Sequence, residues 1–189
     1  MKGTKHLDFL DFSEIAEIMY NKKHLTAEGF NPMMIHYLQM NTKRKNFPDG
    51  FGLSIENWRE KDIEYLTLNG HYINGFLAGD GSIGLITNLN NISTFGTILI
   101  SFTQHVNNYV LIASVLRYFS PNLNPSKHSE FSVGGSIRGT RNWDKYLAPH
   151  FIEFPMLGHK QIAISNLFQI RPLLDDKNNK QTQQNILDL

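Results

Sequence analysis

The feature of this sequence that most restricts its fold is a change of hydrophobic period at Gly81. The segment that ends at Ala78 has apolar residues at helical spacing and is predicted to be a helix. The segments after Gly81, SIGLIT and TILISFTQ, are rich in β-branched residues and are predicted to be strands. Residues alternate between two faces along the second strand, with Ile98, Ile100 and Phe102 on one face and Leu99, Ser101 and Thr103 on the other. This alternation predicts a strand with one face in the core and a largely polar face outward.

The same order of elements appears again toward the C-terminus. Helical spacing returns in NNYVLIASVLRYF, and alternation returns in SEFSVGGSIRG. The alternation predicts an inner face with Phe131, Val133 and Ile137 and an outer face with Glu130, Ser132 and Ser136. Two further helices are predicted over Asn142–Phe154 and Gln161–Leu174. The sequence therefore predicts an α+β domain of αββαββα order with a four-stranded antiparallel sheet.

Composition excludes several classes of protein. The chain has 189 residues, 41% of them hydrophobic, which is enough for one substantial core or two small ones. No apolar run is long enough to cross a bilayer, so no membrane partner is expected. The sequence has no cysteine, which excludes disulfides and thiolate metal sites. The formal net charge of +1 neither requires nor excludes nucleic acid, because phosphate binding depends on local basic surface.

A segment near the N-terminus is similar in sequence to a segment near the C-terminus. GTKHLDFLDFSEI from Gly3 and GHKQIAISNLFQI from Gly158 share a glycine, a lysine two residues later and apolar positions after it, at an offset of 155 residues (158 minus 3). The first twenty residues are predicted to be a helix, and the next to be short helical pieces broken at Gly29 and Pro32. The predicted organisation is a last helix and linker of an incomplete first repeat at 1–46, a linker at 47–68, a complete α+β domain at 69–174 and a polar, mobile tail at 175–189.

Asp80 is the candidate site residue that the sequence itself singles out. It lies between two glycines at the end of the predicted helix, where an anion is unfavourable by a few tenths to about 1 kcal/mol, so a cation is expected nearby. Gly75 and Gly79 lie four apart, so a second such helix can pack closely and bring a second carboxylate to one Mg²⁺ site. Gly81 is predicted to end the helix in the left-handed conformation. GDGS is also typical of an ordinary turn into a strand, and physical reasoning alone favours that turn.

The stretch INGFLAGDG, from Ile73 to Gly81, resembles the motif of the LAGLIDADG homing endonucleases and maturases. It follows a helix and precedes strands that end in SFTQ, as the motif does in that family. Asp80 matches the acid that binds metal there, whereas Asn74 and Ala78 depart from the consensus at positions that are not catalytic. KYLAPHFIEFPMLGHK and the segment up to NTKR resemble further parts of members with two motifs, so the resemblance covers nearly the whole chain except the polar tail.

The resemblance implies a metal-dependent endonuclease that hydrolyses phosphodiester bonds in a long double-stranded DNA site. In that family two αββαββα units form a saddle along the major groove, and the motif helices meet at the cleavage point. Gln104 would orient water or metal, and Lys160 would lie near the cleaved phosphate. The residues that the resemblance assigns are Asp80, Gln104 and Lys160 for catalysis, Asp80 and Gly79 for metal, and Gly75, Phe76 and Gly79 for the helix interface.

The outer strand faces are the expected site of base readout, and basic residues are the expected phosphate contacts. The strand residues are Thr97, Ser101, Thr103, Glu130 and Ser132, and those near strand ends are Asn88, Asn122 and Asn124. The basic residues are Lys43, Arg44, Lys45, Lys127, Arg138 and Arg141.

Three functions remain open on the sequence. The chain is expected to be a DNA endonuclease, an RNA maturase that binds intron RNA and assists splicing, or an inactive remnant. Its expected partner is a second copy of itself or a separately made first repeat, and the leftover ending of a first repeat favours the second. Abundant Asn, Ile, Lys, Phe and Tyr agree with an A+T-rich organellar genome, and the resemblance implies a mitochondrial or other organellar location.

Overall fold

The computed structural model of the protein describes residues 4–41, Arg44, 65–87, 95–176 and 180–188. The described chain divides into two compact units. The first contains the described residues up to Arg44 together with Val106–Leu111, and the second contains Tyr65–His105 and the residues from Ile112 onward, with the gaps given above. Most of the predicted linker at 47–68 lies outside the described residues. In the ranges that are described, no helix has the length and apolar character needed to span a bilayer.

The first unit is built on two helices, α1 (Thr4–Tyr20) and α2 (Ala27–Gln39), joined by a 3-10 turn at Lys23–Leu25. The predicted first helix is confirmed, but the predicted breaks at Gly29 and Pro32 are wrong, because α2 continues through both. The Thr26 hydroxyl caps α2 by accepting a hydrogen bond from the backbone N–H of Gly29. A Cβ at Gly29 would lie 2.1 Å from the carbonyl oxygen of Lys23, so this glycine lets α2 pack closely against the preceding 3-10 turn and does not end the helix.

The second unit contains a four-stranded antiparallel sheet with helices on one face. Its elements are α3 (Gly70–Asp80), β1 (Gly81–Ile86), β2 (Thr97–His105), α4 (Tyr109–Phe119, which begins in the first unit), β3 (Ser126–Ser129), β4 (Ser132–Arg138), α5 (Thr140–Asn142), α6 (Ala148–Glu153), α7 (Lys160–Ile170) and α8 (Lys180–Leu187). The strand order is β1-β2-β4-β3, and each neighbouring pair is antiparallel. The predicted α+β class and order of elements are confirmed.

The core of the second unit lies between the sheet and its helices. Ile98, Ile100 and Phe102 of β2 are at most 2% exposed, as the alternation predicts. The helices contribute further fully buried residues, among them Ile73 and Leu77 of α3. Each such side chain stabilises the fold by about 1.5–3 kcal/mol through burial. This burial determines which face of the sheet points outward.

Two residues of the predicted second hairpin lie elsewhere. Glu130 and Phe131 form the turn between β3 and β4, and Phe131 is 64% exposed instead of facing inward. The apolar-polar alternation runs through this two-residue turn without a break, so period alone does not reveal it. Val133 and Ile137 point inward as predicted, and Ser136 points outward.

The C-terminal helices agree with the sequence except in the tail. The predicted helix over Asn142–Phe154 is a continuous helical segment made of α5, a π-helical turn at Trp143–Leu147 and α6. The helix predicted over Gln161–Leu174 is α7 followed by a 3-10 turn in which Pro172 cannot continue the α-helical hydrogen bonds. The predicted polar tail contains α8, on which Ile186 is 3% exposed, and the mobility of the tail stays a prediction.

A buried polar network connects α3 with α4 and α6. Asn74 Oδ1 accepts a hydrogen bond from His150 Nε2 at 2.8 Å, and Asn74 Nδ2 donates to the carbonyl oxygen of Phe154. Because the Asn74 oxygen can only accept, His150 Nε2 carries a hydrogen, and in the neutral ring Nδ1 accepts from the Tyr118 hydroxyl at 3.2 Å. Burial lowers the pKa of His150 from 6.5 to about 4. Asn74, which departs from the family consensus, thus holds the motif helix in place.

Candidate functional site

The end of α3 carries the candidate carboxylate. Asp80 is the last residue of α3 and its side chain is exposed, so its predicted position at a helix C-terminus is confirmed. Gly81 follows with φ −83° and ψ 147°, so the predicted left-handed stop is wrong and the chain passes directly from helix into β1. A Cβ at Gly81 would lie 2.6 Å from the carbonyl oxygen of Leu77. Glycine is therefore required here for space rather than for its backbone conformation.

Lys160 is the cation at the negative end of α3. Its Nζ donates hydrogen bonds to the carbonyl oxygens of Leu77 at 2.7 Å and Gly81 at 2.5 Å. The Leu77 carbonyl also accepts the backbone N–H of Gly81, so Lys160 adds a second donor at the end of the helix. A cation at a helix C-terminus stabilises the helix by about 0.3–1 kcal/mol. Lys160 reaches these carbonyls because it is the first residue of α7, which packs on β1. Lys160 thus brings positive charge to this helix end, but within the described ranges no cation pairs directly with the Asp80 carboxylate, and the metal ion expected there stays a prediction.

Gln104 lies toward the same end of the sheet as Asp80. Gly81 pairs with Phe102, so Gln104 lies two residues, or about 7 Å, further along β2 in the direction of the end of α3. Gln104 pairs with Val133, a buried residue, and therefore lies on the helix-covered face. This is the side of the sheet on which α3 packs. The register is compatible with the role predicted for Gln104, which stays a prediction.

The oxygen donors at this helix end fit one side of a Mg²⁺ site. Asp80 supplies a carboxylate, and Gly79 supplies a carbonyl from the last helical turn, where carbonyls lack helical partners. Mg²⁺ prefers oxygen ligands and is commonly bound by one or two carboxylates together with phosphate oxygens and water. Among the residues that the structure describes, no group of three His, Cys, Asp or Glu side chains comes together. A phosphate and a second carboxylate would therefore have to complete the site.

Gly75 and Gly79 lie on an exposed face of α3. A Cβ built at either glycine meets no described atom within 4 Å. Phe76 on the same side is partly covered, because its ring packs edge-on against Phe102 with the ring centroids 5.4 Å apart. The two glycines leave a surface that a second backbone can approach closely. The predicted interface between motif helices remains a prediction that this surface permits.

The outer face of the sheet is rich in hydroxyl groups. The register aligns Ser82, Ser101 and Ser136 in one row across β1, β2 and β4. The predicted contacts on this outer face are Thr97, Ser101, Thr103 and Ser132. The inner residues of β2 are buried, and cross-strand neighbours share a face of the sheet. These four side chains therefore point away from the core, as predicted.

Other predicted nucleic-acid contacts lie away from the outer face. The prediction that Glu130 lies on that face is wrong, because it belongs to the β3–β4 turn. Asn122 and Asn124 are exposed in the connection between α4 and β3. Lys127 pairs with Val133, which places it on the helix-covered side of the edge strand β3. Asn88 falls outside the described residues.

The predicted phosphate contacts differ in their surroundings. Arg138 at the end of β4 and Arg141 on α5 are exposed. Lys43 and Lys45 fall outside the described residues. The two arginines therefore remain candidate phosphate contacts.

Arg44 is not a phosphate contact in this structure. Its guanidinium pairs with the carboxylates of Asp8 and Asp11, and its side chain is 9% exposed. Asp11 also lies 2.9 Å from His36 Nδ1. Burial alone would raise the pKa of Asp11, but the hydrogen bonds from His36 and Arg44 outweigh it and lower the pKa. The prediction for Arg44 is wrong, because an arginine neutralised by two carboxylates stabilises the first unit instead.

The outward-facing residues outside the predicted set of nucleic-acid contacts include Ser82, Leu99 and His128. His128 Nδ1 lies 3.3 Å from the Thr103 hydroxyl, and its Nε2 lies 3.1 Å from the Ser126 hydroxyl. The alternation of polar and apolar residues at the start of β1 was enough to predict that Ser82 points outward. The position of His128 depends on an irregularity in the register between Lys127 and Ser129, which no local pattern indicates.

Comparison with known proteins gives structural matches. No family model and no curated sequence matches the chain. The I-LtrWI LAGLIDADG homing endonuclease bound to target DNA is similar, with a TM-score of 0.73 and 21% identity over 100% of this chain and 65% of that chain. The I-SmaMI enzyme bound to cleaved DNA has a TM-score of 0.74 and 18% identity, over 100% of this chain and 65% of that one. For I-GzeII in complex with its DNA target the TM-score is 0.70 and the identity 18%, over 100% and 67%.

These matches test the resemblance carried by INGFLAGDG. At 18–21% identity they establish a fold and not an activity, and this chain spans about 65% of the length of the enzymes it matches. The agreement nevertheless extends over the whole of this chain in separately solved enzymes. The chain therefore has the fold of the LAGLIDADG homing endonucleases.

Proposed function

We propose that the protein is an intron-encoded, metal-dependent and site-specific DNA endonuclease. The observation that carries the proposal is that Asp80 ends α3 and that the Lys160 ammonium binds carbonyl oxygens at the same helix end, beside a sheet with a hydroxyl-rich outer face. A carboxylate, a fixed cation and a polar surface for base edges suit hydrolysis of a phosphodiester in a bound duplex. The similar enzymes were solved with DNA, which supports double-stranded DNA as the partner.

Each residue of the site has a role in this proposal. Mg²⁺, when bound, supplies an activated water and stabilises charge on the phosphate. Asp80 and the Gly79 carbonyl would hold it. Lys160 places positive charge beside the scissile phosphate, and its two hydrogen bonds to α3 keep the ammonium in position. Gln104 would orient water through its side-chain amide.

The first test uses random-sequence libraries. The purified protein is expected to enrich a defined duplex from a DNA library and to cut at least one strand of it when Mg²⁺ is added. Enrichment of DNA without any cut, both by the chain alone and by the chain together with a complementary second unit, would contradict the nuclease. Enrichment from a parallel library of intron RNA fragments, without DNA cleavage, would favour the maturase instead.

Ser101→Glu tests the outer face with the same enriched duplex. Ser101 points outward from the centre of the sheet, so a carboxylate there should repel phosphates and weaken DNA binding by at least about tenfold. The Tm should change little, because the side chain is not in the core. Gln169→Glu, on an exposed position of α7, adds the same charge and should bind normally. A large fall in Tm with unchanged binding would place Ser101 in the core.

We also propose that the active enzyme includes a second αββαββ unit that packs on α1. Phe9 and Phe12 of α1 correspond to Ile164 and Leu167 of α7 at the offset of 155 residues (164 minus 9 and 167 minus 12). Ile164 and Leu167 are 1% and 2% exposed, and α7 packs on β1. Phe9 and Phe12 are 50% and 57% exposed. An exposed aromatic face whose counterpart is buried against a sheet supports a covering unit of the same kind.

Lys5 supports the same second unit. At the same offset it corresponds to Lys160, which binds the end of α3 (160 minus 155). Lys5 instead contacts Asn41 Oδ1 at 3.3 Å and Asp8 at 3.8 Å within the first unit. In the complete enzyme Lys5 would bind the end of a second motif helix. This correspondence favours a complementary unit over a homodimer, whether that unit is a separate chain or part of a longer one.

The exposed face of α1 predicts two contrasting stability effects. Replacing Phe9 and Phe12 together with Gln should change the free energy of unfolding of the chain by less than about 1 kcal/mol, because both side chains are half exposed. Ile164→Ala should cost about 2–5 kcal/mol, because its side chain is buried. Urea unfolding measures both.

Light scattering and the cleavage assay together test the second unit. The isolated chain should cut poorly, and a monomer that cuts both strands efficiently would contradict the second unit.

We place the protein in mitochondria or another organelle. The resemblance and the A+T-biased composition support this location, since such enzymes are encoded mostly within organellar introns. Fractionation of cells that express the protein with a C-terminal tag would test it.

A further inference from the structure

Leu99 is an apolar exception on the hydroxyl-rich outer face. It is partly exposed in the middle of β2, and it pairs with Gly84 of β1 on one side and Arg138 of β4 on the other. Ile86 of β1, also partly exposed, is its diagonal neighbour on the same face. The core does not need this leucine, because its two chain neighbours fill the core from the opposite face.

Among the residues that the structure describes, none covers the surface beside Leu99 on the β1 side. Gly84, directly opposite, has no side chain, and a Cβ built there meets no described atom within 4 Å. Ser101, the next outward residue along β2, is short. Leu99 and Ile86 together form a shallow apolar strip, which we call the Leu99 strip. The glycine and the serine beside the strip allow a flat surface to reach it from the β1 side and along β2.

We propose that the Leu99 strip contacts the C5-methyl groups of thymines in the major groove of the target DNA. This inference rests on the proposed function, because it requires the outer face to bind a duplex. Thymine is the base that presents a methyl group in the major groove, and apolar side chains contact it there. The surrounding serine and threonine hydroxyls pair with several bases and select weakly between them. The Leu99 strip is thus a specificity determinant, and it selects thymine.

Arg138 supplies the charge that this contact needs. It pairs with Leu99 across β2 and β4, at a Cα separation of about 5 Å, and its side chain is exposed. An arginine beside the strip can bind a phosphate or a guanine edge and hold the strip against the groove. An exposed cation beside the apolar strip favours a DNA duplex as the ligand, because the cation attracts phosphates and would be unfavourable against the apolar surface of another protein.

The test replaces thymine with deoxyuridine, which lacks the methyl group. The duplex that the protein enriches from the random library is remade with deoxyuridine at each thymine in turn. Loss of one contacted methyl should raise Kd about fourfold, and loss of two about fifteenfold, because a buried methyl contributes roughly as much as a CH₂ group. Leu99→Ala should bring the ratio of the two Kd values closer to one, and Leu99→Ala combined with Ile86→Ala should bring it closer still.

The controls separate this inference from the proposed function. Arg138→Ala should weaken binding to the thymine and deoxyuridine duplexes by the same factor and keep their ratio. If Leu99→Ala does not fold, the comparison of the two duplexes with the unchanged protein still decides. Equal Kd values for every deoxyuridine duplex overturn the inference alone. Failure to enrich any duplex overturns the proposed function and the inference with it.

Discussion

Asp80→Asn should reduce Mg²⁺-dependent DNA cleavage on the order of a thousandfold while the protein still binds its duplex. The change keeps the size of the side chain and removes the charge that would hold a divalent cation at the end of α3. DNA binding without metal should not weaken, because a carboxylate repels phosphates. Strand cleavage of a labelled duplex across a Mg²⁺ series, together with Kd in EDTA, measures both effects.

Glu153→Gln is the matched control for this change. It removes an exposed carboxylate from the end of α6 and should cleave normally. Binding of Mn²⁺ to the DNA complex, followed by electron paramagnetic resonance, gives a readout that does not depend on turnover. Mn²⁺ affinity should fall in Asp80→Asn and stay unchanged in Glu153→Gln. Cleavage by Asp80→Asn at the parental rate would remove Asp80 from the metal site.

Acidification from pH 6.5 to pH 4 should destabilise the protein by about 2 to 3 kcal/mol through His150 alone. The pKa of His150 is lowered from 6.5 to about 4 by burial, so in this window the unfolded chain binds a proton that the folded chain does not. Stability is therefore complete above about pH 6.5 and is lost as the pH falls through about 4. Urea unfolding at intervals across this range measures the slope.

His150→Gln should flatten that slope. The variant is expected to be less stable than the parent at pH 7, because the hydrogen bonds to Asn74 and Tyr118 are disturbed. The difference between the two proteins should then shrink as the pH falls toward 4. His159→Gln removes an exposed histidine and should keep the parental slope. Parallel curves for the parent and His150→Gln would show that His150 does not cause the acid sensitivity.

The spacing of apolar residues in the sequence was enough to predict those helices and strands whose two faces differ in polarity. Ile98, Ile100 and Phe102 alternate with outward residues, and all three are buried as expected. The helix that ends at Asp80 was also predictable, because a glycine and a β-branched segment follow it directly. Such local signals extend over a few residues and do not depend on what the rest of the chain does.

The errors concern interactions that local patterns do not contain. Arg44, for example, binds Asp11 across 33 residues. The basic run around Arg44 predicts a phosphate contact, because the carboxylates that neutralise the arginine lie far away in the sequence. Gly81 shows a related limit, because its need for glycine comes from a carbonyl oxygen in the preceding turn and not from its own φ.

Lys160 is anchored to peptide oxygens, which amino-acid substitution does not remove. Side chains of the motif can therefore drift, as Asn74 and Ala78 have, without releasing the lysine, provided that the helix still ends at residue 80 and residue 81 stays small. Proteins of this fold in which most motif residues have been substituted should still have a lysine ammonium that binds the last turn of a helix leading into a strand. A geometric search for that cap in protein structures would find members of this fold that sequence comparison does not detect.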